Sequence, residues 1–504
     1  MLGPQTRRSA LLAGLLLLAG CGGDAGAKGG SSGGSAATSG ASAGSTAAAA
    51  DSVKPTSPGS NAQGDVRDNA PPQLRGLYIN AYAAGSKTRL PKLLAMADQT
   101  EINAFVVDVK DEKGIRYNTA LVLPRQLAQP GEVTIRDLKA LVETLHAHKL
   151  YTMARIVVFK DPILSKARPD WSVRAPGGGL WHDKKGNTWV SPWDENVWNY
   201  NIQIAEEAAK AGFDAVQFDY VRFAEPYKSL PPQVHPKARG DRTDAIAAFL
   251  NEAKRRLHPL GVMVTADVFG LVPNDPQDVN IGQQWETVAS TADHVLPMMY
   301  PSHYLPVHLP GVPKPDLMPY QVLYKSAGMA RLRNDRLREA GVTPARVVPW
   351  LQAFNATWLG KNHQTYGPEQ VRQQKQGVYD VGFDDWVLWH PGSKYEPILA
   401  GLDRETVSHK KPTYTPPADV LSMVNLFERQ GIRKARDKAA QQARGDVTDP
   451  AAAQAAKTGR AEPGQPVSGV KPGQNAPAEA TPSASGVPAA GGQTKPMAPA
   501  GQKP

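Results

Sequence analysis

Two aspartates near the ends of consecutive apolar runs have the residue type and spacing for acid–base chemistry. Asp219 lies in GFDAVQFDYVRF (212–223), and Asp267 lies in TADVFG (265–270). Alternation with a period of two places each aspartate on the face opposite its bulky neighbours. Two carboxylates that face one site can hydrolyse a glycosidic bond. We therefore predict Asp219 as the nucleophile or ionised partner and Asp267 as the general acid/base.

Charged residues just after Asp219 would tune its ionisation. Arg222 lies three positions further on and would hold the carboxylate of Asp219 ionised, as a nucleophile requires. Glu225 offers an alternative acid at the same rim. A purely structural arrangement stays open, with Asp219 as a buried partner of Arg222 and Asp267 as a cap or a hydrogen-bond partner.

An earlier apolar run, AFVVDVK (104–110), also ends in charged residues. Asp108 and Lys110 share a face by alternation, which predicts either an ion pair or contacts to a sugar hydroxyl. Asp108 and Asp111 could instead bind a metal, but no His or Cys lies at ligand spacing beside them. We predict no metal and no cofactor.

Polar and aromatic residues after the later runs could position a sugar. The predicted substrate-binding residues there are Tyr300, His303, Gln352 and Trp389. Five of the ten tryptophans lie between Trp171 and Trp198. Large aromatic faces on a long loop can stack on sugar rings, so Trp181 and Trp189 are predicted to bind substrate. The alternative is that these tryptophans form a small core that holds the loop together.

Eight short β-rich runs alternate with helical patterns and would position these residues. The runs cover residues 76–82, 104–110, 151–159, 215–221, 262–269, 294–300, 346–354 and 385–390. Strands alternating with helices predict an α/β fold, a (β/α)8 TIM barrel, in which chemistry takes place at the carboxyl ends of the strands. A doubly wound sheet is the alternative, but no Gly-rich phosphate loop follows Tyr82.

The composition of the 504-residue chain divides it into regions. The segment 22–73 is rich in Gly, Ala and Ser, and 441–504 is rich in Ala, Pro, Gly and Gln; both compositions are typical of disorder. We assign 74–410 to the barrel and 411–440 to a possible additional helix.

The first 21 residues have the pattern of an export signal. Arg7 and Arg8 precede a short apolar run, and small residues lead to Cys21. This pattern resembles a bacterial lipoprotein lipobox, and Cys21 is the only cysteine in the chain. The resemblance implies lipidation of Cys21 and a protein anchored to a membrane of the bacterial cell envelope, outside the cytoplasm. Both the Sec and the Tat export route stay open, and a plain secretory signal is the alternative.

The formal charge of +10 does not indicate nucleic-acid binding once it is divided by region. Residues 74–400 contain 38 Lys and Arg against 34 Asp and Glu, which is ordinary for a soluble domain. No nucleic-acid motif is found. We expect a monomer whose partners are a polysaccharide and, through the anchor, a membrane.

The middle of the chain resembles a bacterial family of glycoside hydrolase-like domains with a TIM-barrel fold. The resemblance covers residues 74–400 and is carried, in this order, by RGLYIN (75–80), VVDVKDEKG (106–114), GFDAVQFDYVRF, TADVFG, PMMYPSHY (297–304) and PWLQAF (349–354). More remotely, Asp219 and Asp267 are placed like the carboxylates of α-glycosidases related to α-amylases. Those enzymes have Glu at strand five and a further Asp at strand seven, where Gln352 lies here.

Two main functions follow as hypotheses. The first is a lipid-anchored glycoside hydrolase that acts on a cell-envelope or extracellular polysaccharide. The second is a glycan-binding or scaffolding lipoprotein without catalysis, which Gln352 in place of a carboxylate favours. A metal-assisted polysaccharide deacetylase is a third possibility.

Overall fold

The structure is a computed structural model that describes residues 68–402 and 413–445. The predicted signal segment 1–21 with Cys21, most of the predicted tether 22–73 and most of the tail 441–504 lie outside the described residues. The described residues belong to one compact unit of the chain.

Eight parallel strands form the centre of the fold. They are β1 (Arg75–Ile79), β2 (Ala104–Asp111), β3 (Tyr151–Val157), β4 (Ala215–Asp219), β5 (Met263–Phe269), β6 (His294–Met298), β7 (Arg346–Val347 and Trp350–Gln352) and β8 (Trp386–Trp389). Each strand lies within one of the eight runs predicted from the sequence, give or take one residue. A short strand, Gly114–Ile115, pairs antiparallel with the end of β2.

The eight strands close into a barrel. Each strand pairs in parallel with the next, and β1 pairs with both β2 and β8. The register at the closing seam places Leu77 opposite Leu388 on one side and opposite Phe105 on the other. The predicted (β/α)8 TIM barrel is therefore confirmed.

The seventh strand is interrupted where the sequence indicated one continuous run. Val348 still donates its amide to the carbonyl of Val295 at 3.0 Å. Pro349 has no amide proton, so it cannot donate to the ladder, although its carbonyl accepts from the amide of Val387 at 3.0 Å. The ladder resumes at Trp350.

Helices cover the outside of the barrel. They are α1 (Ala81–Ala84), α2 (Arg89–Gln99), α3 (Val122–Gln126), α4 (Leu138–Ala147), α5 (Pro162–Ala167), α6 (Glu195–Ala211), α7 (Arg242–Leu257), α8 (Trp285–Ala289), α9 (Pro319–Glu339), α10 (Pro368–Asp380), α11 (Ala418–Phe427) and α12 (Arg433–Ala443). Short 3-10 turns lie in several loops, and a π-type turn, Glu428–Ile432, joins α11 to α12.

Local sequence explains where α6 begins and ends. The carboxylate of Asp194 accepts from the amide of Asn196 at 3.0 Å and caps the start of α6. Gly212 adopts a left-handed conformation with φ 105° just after the helix, which ends it. The apolar positions between these caps face the barrel.

Alternation along the strands separates two apolar layers. One lies between strands and helices, where Phe218 packs edge-on against Phe249 of α7 at 5.0 Å between ring centroids. The other fills the inside of the barrel and includes Tyr78, Met153 and Trp350. Residues of β3, β4 and β5 that share this inner face can reach the mouth of the barrel.

The segment before β1 lies at the floor of the barrel, at the amino-terminal ends of the strands. Asp68 Oδ2 lies 3.0 Å from Nε2 of His294, the first residue of β6. The amide of Leu74 donates to Asp385 Oδ1 at 2.7 Å. Arg346 at the start of β7 donates to the same Asp385 carboxylate at 2.6 and 2.8 Å. We call residues 68–74 the floor segment.

Helices α11 and α12 pack against the outside of the barrel. Tyr414 lies so close to α9 that a Cβ on Gly328 would be 2.1 Å from its hydroxyl. Asp419 forms an ion pair with Lys325 of α9. Among residues 68–402 and 413–445, no helix combines the length and the apolar character needed to cross a membrane.

Candidate active site

Asp219 is held by an arginine inside the mouth of the barrel. Its Oδ2 accepts from Arg155 Nε at 3.1 Å and from the same guanidinium's Nη2. Its Oδ1 accepts from the amide of Tyr220 at 2.6 Å. The residue is 4 % exposed. These donors all stabilise the ionised carboxylate.

Arg155 links Asp219 to a second strand-end aspartate. Arg155 Nη1 donates to Asp108 Oδ1 at 2.5 Å, and the hydroxyl of Tyr78 donates to Asp108 Oδ2 at 2.5 Å. Burial raises the pKa of Asp108, although the guanidinium of Arg155 and the hydroxyl of Tyr78 oppose the rise. We call Tyr78, Asp108, Arg155 and Asp219 the arginine clamp.

Arg222 does not hold Asp219, contrary to the sequence-based prediction. Its guanidinium donates to Glu225 Oε1 at 3.1 Å and to a backbone carbonyl, and lies 4.4 Å from the centroid of the Phe269 ring. Tyr220 has φ 50°, so the chain turns sharply and alternation does not continue to Arg222. Glu225 is correspondingly the partner of Arg222, at 7 % exposure.

Asp267 occupies a different environment on the neighbouring strand. Its Oδ1 accepts from Gln217 Nε2 at 2.5 Å and from Trp350 Nε1 at 2.6 Å, whereas its buried Oδ2 has no hydrogen-bond partner among the residues that the structure describes. Burial raises its pKa well above the usual range, and the charge of Asp219 raises it further. A carboxyl in this state holds a proton, as a general acid must.

Lys110 does not share a face with Asp108. The ladder between β2 and β3 shifts register after Asp108, so that Lys110 lies opposite Ile156. This bulge turns the lysine away from the barrel interior. Its Nζ lies 2.8 Å from Asp161 Oδ2, and the side chain is fully buried. The prediction that Lys110 contacts substrate is therefore wrong.

The predicted residues after β6 form part of an aromatic wall at the mouth. The ring of Tyr300 lies 5.2 Å from the ring of His303 and 5.6 Å from that of Phe354. Burial lowers the pKa of His303 to about 4, so its imidazole is neutral at pH 7. Trp358 extends the wall, stacked on Phe354 at 6.0 Å between centroids and 46 % exposed. We call Tyr300, His303, Phe354 and Trp358 the aromatic wall.

Gln352 connects loops and is not available to substrate. Its side chain is fully buried, accepts from the amide of Ser302 at 3.0 Å and donates to Asp316 Oδ1 at 3.1 Å and to the carbonyl of Phe354 at 3.0 Å. These hydrogen bonds engage both the oxygen and the nitrogen of the side-chain amide. The prediction that Gln352 binds substrate is wrong, and its place is to hold the loops after β6 and β7.

Trp389 lies beside the arginine clamp, and its predicted role in substrate binding stays a prediction. Its ring stacks on Tyr78 at 3.8 Å between centroids, and the guanidinium of Arg155 lies 5.1 Å from its centroid. Trp350 meets it edge-on at 5.5 Å. Trp389 and Trp350 therefore form an aromatic surface. It borders Arg155, which binds Asp219, and it includes the indole that donates to Asp267.

The tryptophans of the loop after β3 form a small core. Trp181 and Trp189 are each 1 % exposed. Trp181 Nε1 donates to the carbonyl of Pro231 at 2.8 Å, and Trp189 Nε1 donates to Asp183 Oδ2 at 3.1 Å. Their faces cannot stack on a sugar, so the predicted substrate role of both is wrong and the alternative of a small core is right.

The sequence-based reasoning missed three groups at the mouth. Arg155 lies on the inner face of β3 with Met153, and a charged residue in that pattern was a usable signal. Trp358 lies in an irregular loop, and the sequence contained no signal for its position. At the rim, Lys160 Nζ lies 3.2 Å from Glu112 Oε1 and 3.3 Å from the hydroxyl of Tyr220.

Among the residues described by the structure, no group of three or more His, Cys, Asp or Glu side chains could hold a metal ion. Asp108 and Asp111, the pair considered from the sequence, do not form such a group. Asp108 is already engaged by Arg155 and Tyr78.

Comparison with known proteins gives the family. A family model described as "Putative glycosyl hydrolase domain" matches residues 76–395. No curated protein matches the chain at a significant level.

Two solved structures are similar to parts of the chain. A hypothetical protein from Ruminiclostridium thermocellum ATCC 27405 is 33% identical, with 38% of this chain and 97% of that chain covered and a TM-score of 0.35. The glycoside hydrolase domain of PgaB (BpsB) from Bordetella bronchiseptica is 16% identical over 66% of this chain and 100% of that chain, with a TM-score of 0.46. On the family match, the chain belongs to the family of glycosyl hydrolase-like domains.

Proposed function

We propose that the barrel is a glycoside hydrolase that cleaves a polysaccharide. The observation that carries the proposal is the contrast between its two neighbouring aspartates. Asp219 is paired with the guanidinium of Arg155, whereas burial and the charge of Asp219 raise the pKa of Asp267 well above its usual range. A carboxylate held by an arginine beside a carboxyl with a raised pKa is the arrangement that acid-assisted cleavage of a glycosidic bond requires.

Each aspartate then has one role. Asp219 stabilises positive charge on the sugar or attacks it as nucleophile, with its carboxylate oriented by Arg155 and the amide of Tyr220. Asp267 gives its proton to the leaving oxygen from the unpartnered Oδ2. Trp389 and the aromatic wall offer apolar faces to sugar rings.

Substitution of Asp219 tests the assignment. In Asp219→Asn, release of reducing ends from envelope and extracellular glycans should fall by at least about 10³-fold, by analogy with loss of a nucleophile. The variant also loses one ion pair of Arg155, which lowers stability. Glu101→Gln is the matched control, because it removes the charge of a similarly buried carboxylate, the partner of Arg75, which precedes β2 and lies at the end of the barrel away from the mouth. Wild-type turnover in Asp219→Asn, or equal loss in the control, would contradict the role.

A second function has its own support. Asp219 is 4 % exposed and Asp267 is 1 % exposed, which suits a barrel that binds glycans without cleaving them. Binding of a glycan by the wild-type protein with no product released would favour this alternative.

We also propose that the protein is a lipoprotein of the bacterial cell envelope, anchored through Cys21 and acting outside the cytoplasm as a monomer. The support is the export pattern before Cys21 and its place as the only cysteine. A lipid anchor would keep the barrel near envelope polysaccharide without embedding it in a membrane.

A further inference from the structure

A second cleft lies beside the barrel mouth, between the barrel loops and the carboxy-terminal helices. Its volume is about 1040 Å³. One wall consists of the loops after β4 and β5 with the start of α7, and the other consists of residues 429–438. Phe223 lines it only four residues after Asp219, so the cleft lies at the same end of the barrel as the arginine clamp.

Specific contacts hold the second wall in place. Gln277 donates its side-chain amide to the carbonyl of Gln430, and Lys438 forms an ion pair with Asp244 of α7. Gly431 has φ 135°, and a Cβ there would lie 2.9 Å from Gln277 Nε2. The π-type turn around Gly431 thus lets the chain approach the barrel closely.

Two cations in this cleft have no partner. Arg242 is paired with Asp278 at 2.9 Å, and Lys438 with Asp244. Within residues 68–402 and 413–445, neither Arg429 nor Lys434 has an ion-pair or hydrogen-bond partner for its side chain, and both are exposed.

The lining as a whole favours an anion. Its four cations are Arg242, Arg429, Lys434 and Lys438, against the two carboxylates of Asp241 and Asp278. Unpaired positive charge in a recess raises the local concentration of anions.

The other lining residues match a sugar. The hydroxyls of Thr243 and Thr287 line the cleft, together with the side-chain amides of Gln277 and Gln284, whose nitrogens each donate to a backbone carbonyl. The buried rings of Trp193 and Phe223 pack edge-on at 4.5 Å between centroids beside His235 and close one side of the cleft without offering a stacking face. Amides and hydroxyls can bond sugar hydroxyls, and the recessed shape suits a chain segment better than a flat bilayer.

We propose that this cleft binds an acidic sugar unit of a polysaccharide, with Arg429 and Lys434 contacting its carboxylate or phosphate group. The identification of the ligand as part of a polysaccharide rests on the proposed function, whereas binding itself does not require turnover. The proposal gives the π-type turn and α12 a purpose, since the cleft has only one wall without residues 429–438.

Binding of defined probes to the full chain tests the proposal. An oligogalacturonide and a neutral galacto-oligosaccharide of equal length are titrated by calorimetry at low salt, with inorganic phosphate and phosphatidylglycerol vesicles as separate arms. We expect the oligogalacturonide to bind, the neutral sugar to bind more weakly, and salt to weaken the former. In the double variant Arg429→Gln/Lys434→Gln, affinity for the oligogalacturonide should fall about tenfold.

Two controls make the outcomes distinct. Arg433→Gln removes a neighbouring exposed cation that faces Asp437, and should leave the affinity unchanged. Asp219→Asn should retain oligogalacturonide binding even where cleavage is lost, so a failure of the hydrolase assignment stays separate. Equal affinity in the double variant and the wild type would overturn the proposal, as would binding of vesicles or phosphate alone without binding of the oligogalacturonide.

Discussion

Arg155 contacts two carboxylates, and this arrangement sets the ionisation of the whole mouth. One guanidinium can fully neutralise only one of Asp108 and Asp219. The raised pKa of Asp108 shows that burial outweighs its share of the guanidinium. Burial and the charge of Asp219 raise the pKa of Asp267, whereas the guanidinium of Arg155 lowers it. Burial and Asp219 together therefore outweigh the arginine at Asp267.

Asp111 at the edge of this cluster provides a test through pH. Burial and the charge of Asp108 raise its pKa to about 7. A carboxyl with a raised folded-state pKa binds its proton more tightly when folded, so the wild type loses stability as pH rises from about 4 to about 7. We predict that Asp111→Asn removes this loss, up to about 1.4 kcal/mol per pH unit within that window.

Chemical denaturation of both proteins at pH 4, 5.5, 7 and 8.5 measures the difference. The variant should gain on the wild type between pH 4 and 7, and the gain should level off above about 7. Asp98→Asn is the control, because Asp98 is an exposed carboxylate that faces His148 on the surface. Parallel pH profiles for Asp111→Asn and the wild type would contradict the raised pKa.

For individual residues, the sequence predicted some side-chain positions correctly and others incorrectly, and each error has a physical reason. Asp219 and Asp267 do lie on the inner face of adjacent strands, because alternation holds within β4 and β5. Lys110 was misplaced because a bulge inserts a residue, and Arg222 because the backbone turns at Tyr220. Neither the bulge nor the turn can be recognised from the residue types alone.

Among the elements, the loops after the strands differ in what their aromatic residues do. The long loop after β3 buries its tryptophans in a core of its own, whereas the loop after β7 exposes Trp358 beside Phe354. The strands themselves were predictable, because each is an apolar run of about the right length. The roles of the loop residues were not predictable, because the residue type alone does not show whether the ring of a tryptophan is buried or exposed.

Trp358 gives a prediction for the loop after β7. We expect Trp358→Ala to raise KM for a glycan about threefold to tenfold with little change in kcat, because an exposed stacking face contributes mainly to binding. Stability should hardly change, since the side chain is 46 % exposed. Steady-state kinetics and thermal unfolding measure both.

Leu260→Ala is the matched control. Leu260 is 42 % exposed and precedes β5, so it lies at the end of the barrel away from the mouth. Its KM should equal that of the wild type. A KM for Trp358→Ala that is also unchanged would remove the aromatic wall from the substrate site.

For the molecule as a whole, a closed barrel of ordinary charge sits in a chain with a strongly biased composition on both sides. Residues 74–400 carry 38 basic and 34 acidic residues, so most of the formal charge of +10 lies outside the barrel. The fold class was predictable because eight strand–helix alternations leave few other topologies. Substrate identity was not, because it depends on how loops meet at the mouth.

The proposed anchor leads to a prediction for the whole chain. We predict that Cys21→Ser, expressed with the full sequence in a bacterium, shifts the protein from the membrane fraction to the soluble fraction, because an acyl chain contributes about 0.8 kcal/mol per buried CH₂. Ser31→Ala in the same segment is the control and should stay in the membrane fraction. Mass spectrometry of the amino-terminal peptide identifies the lipid, and retention of Cys21→Ser in the membrane fraction would contradict the anchor.

The floor segment determines where a mechanical load enters the barrel. Everything that precedes Asp68 is linked through residues that contact His294, Arg346 and Asp385, at the ends of the strands away from the mouth. A pull on that side of the chain would therefore strain the starts of β6, β7 and β8 before it reached Arg155 or Asp219. Such a barrel could be held at its base while its open end grips a polymer under tension.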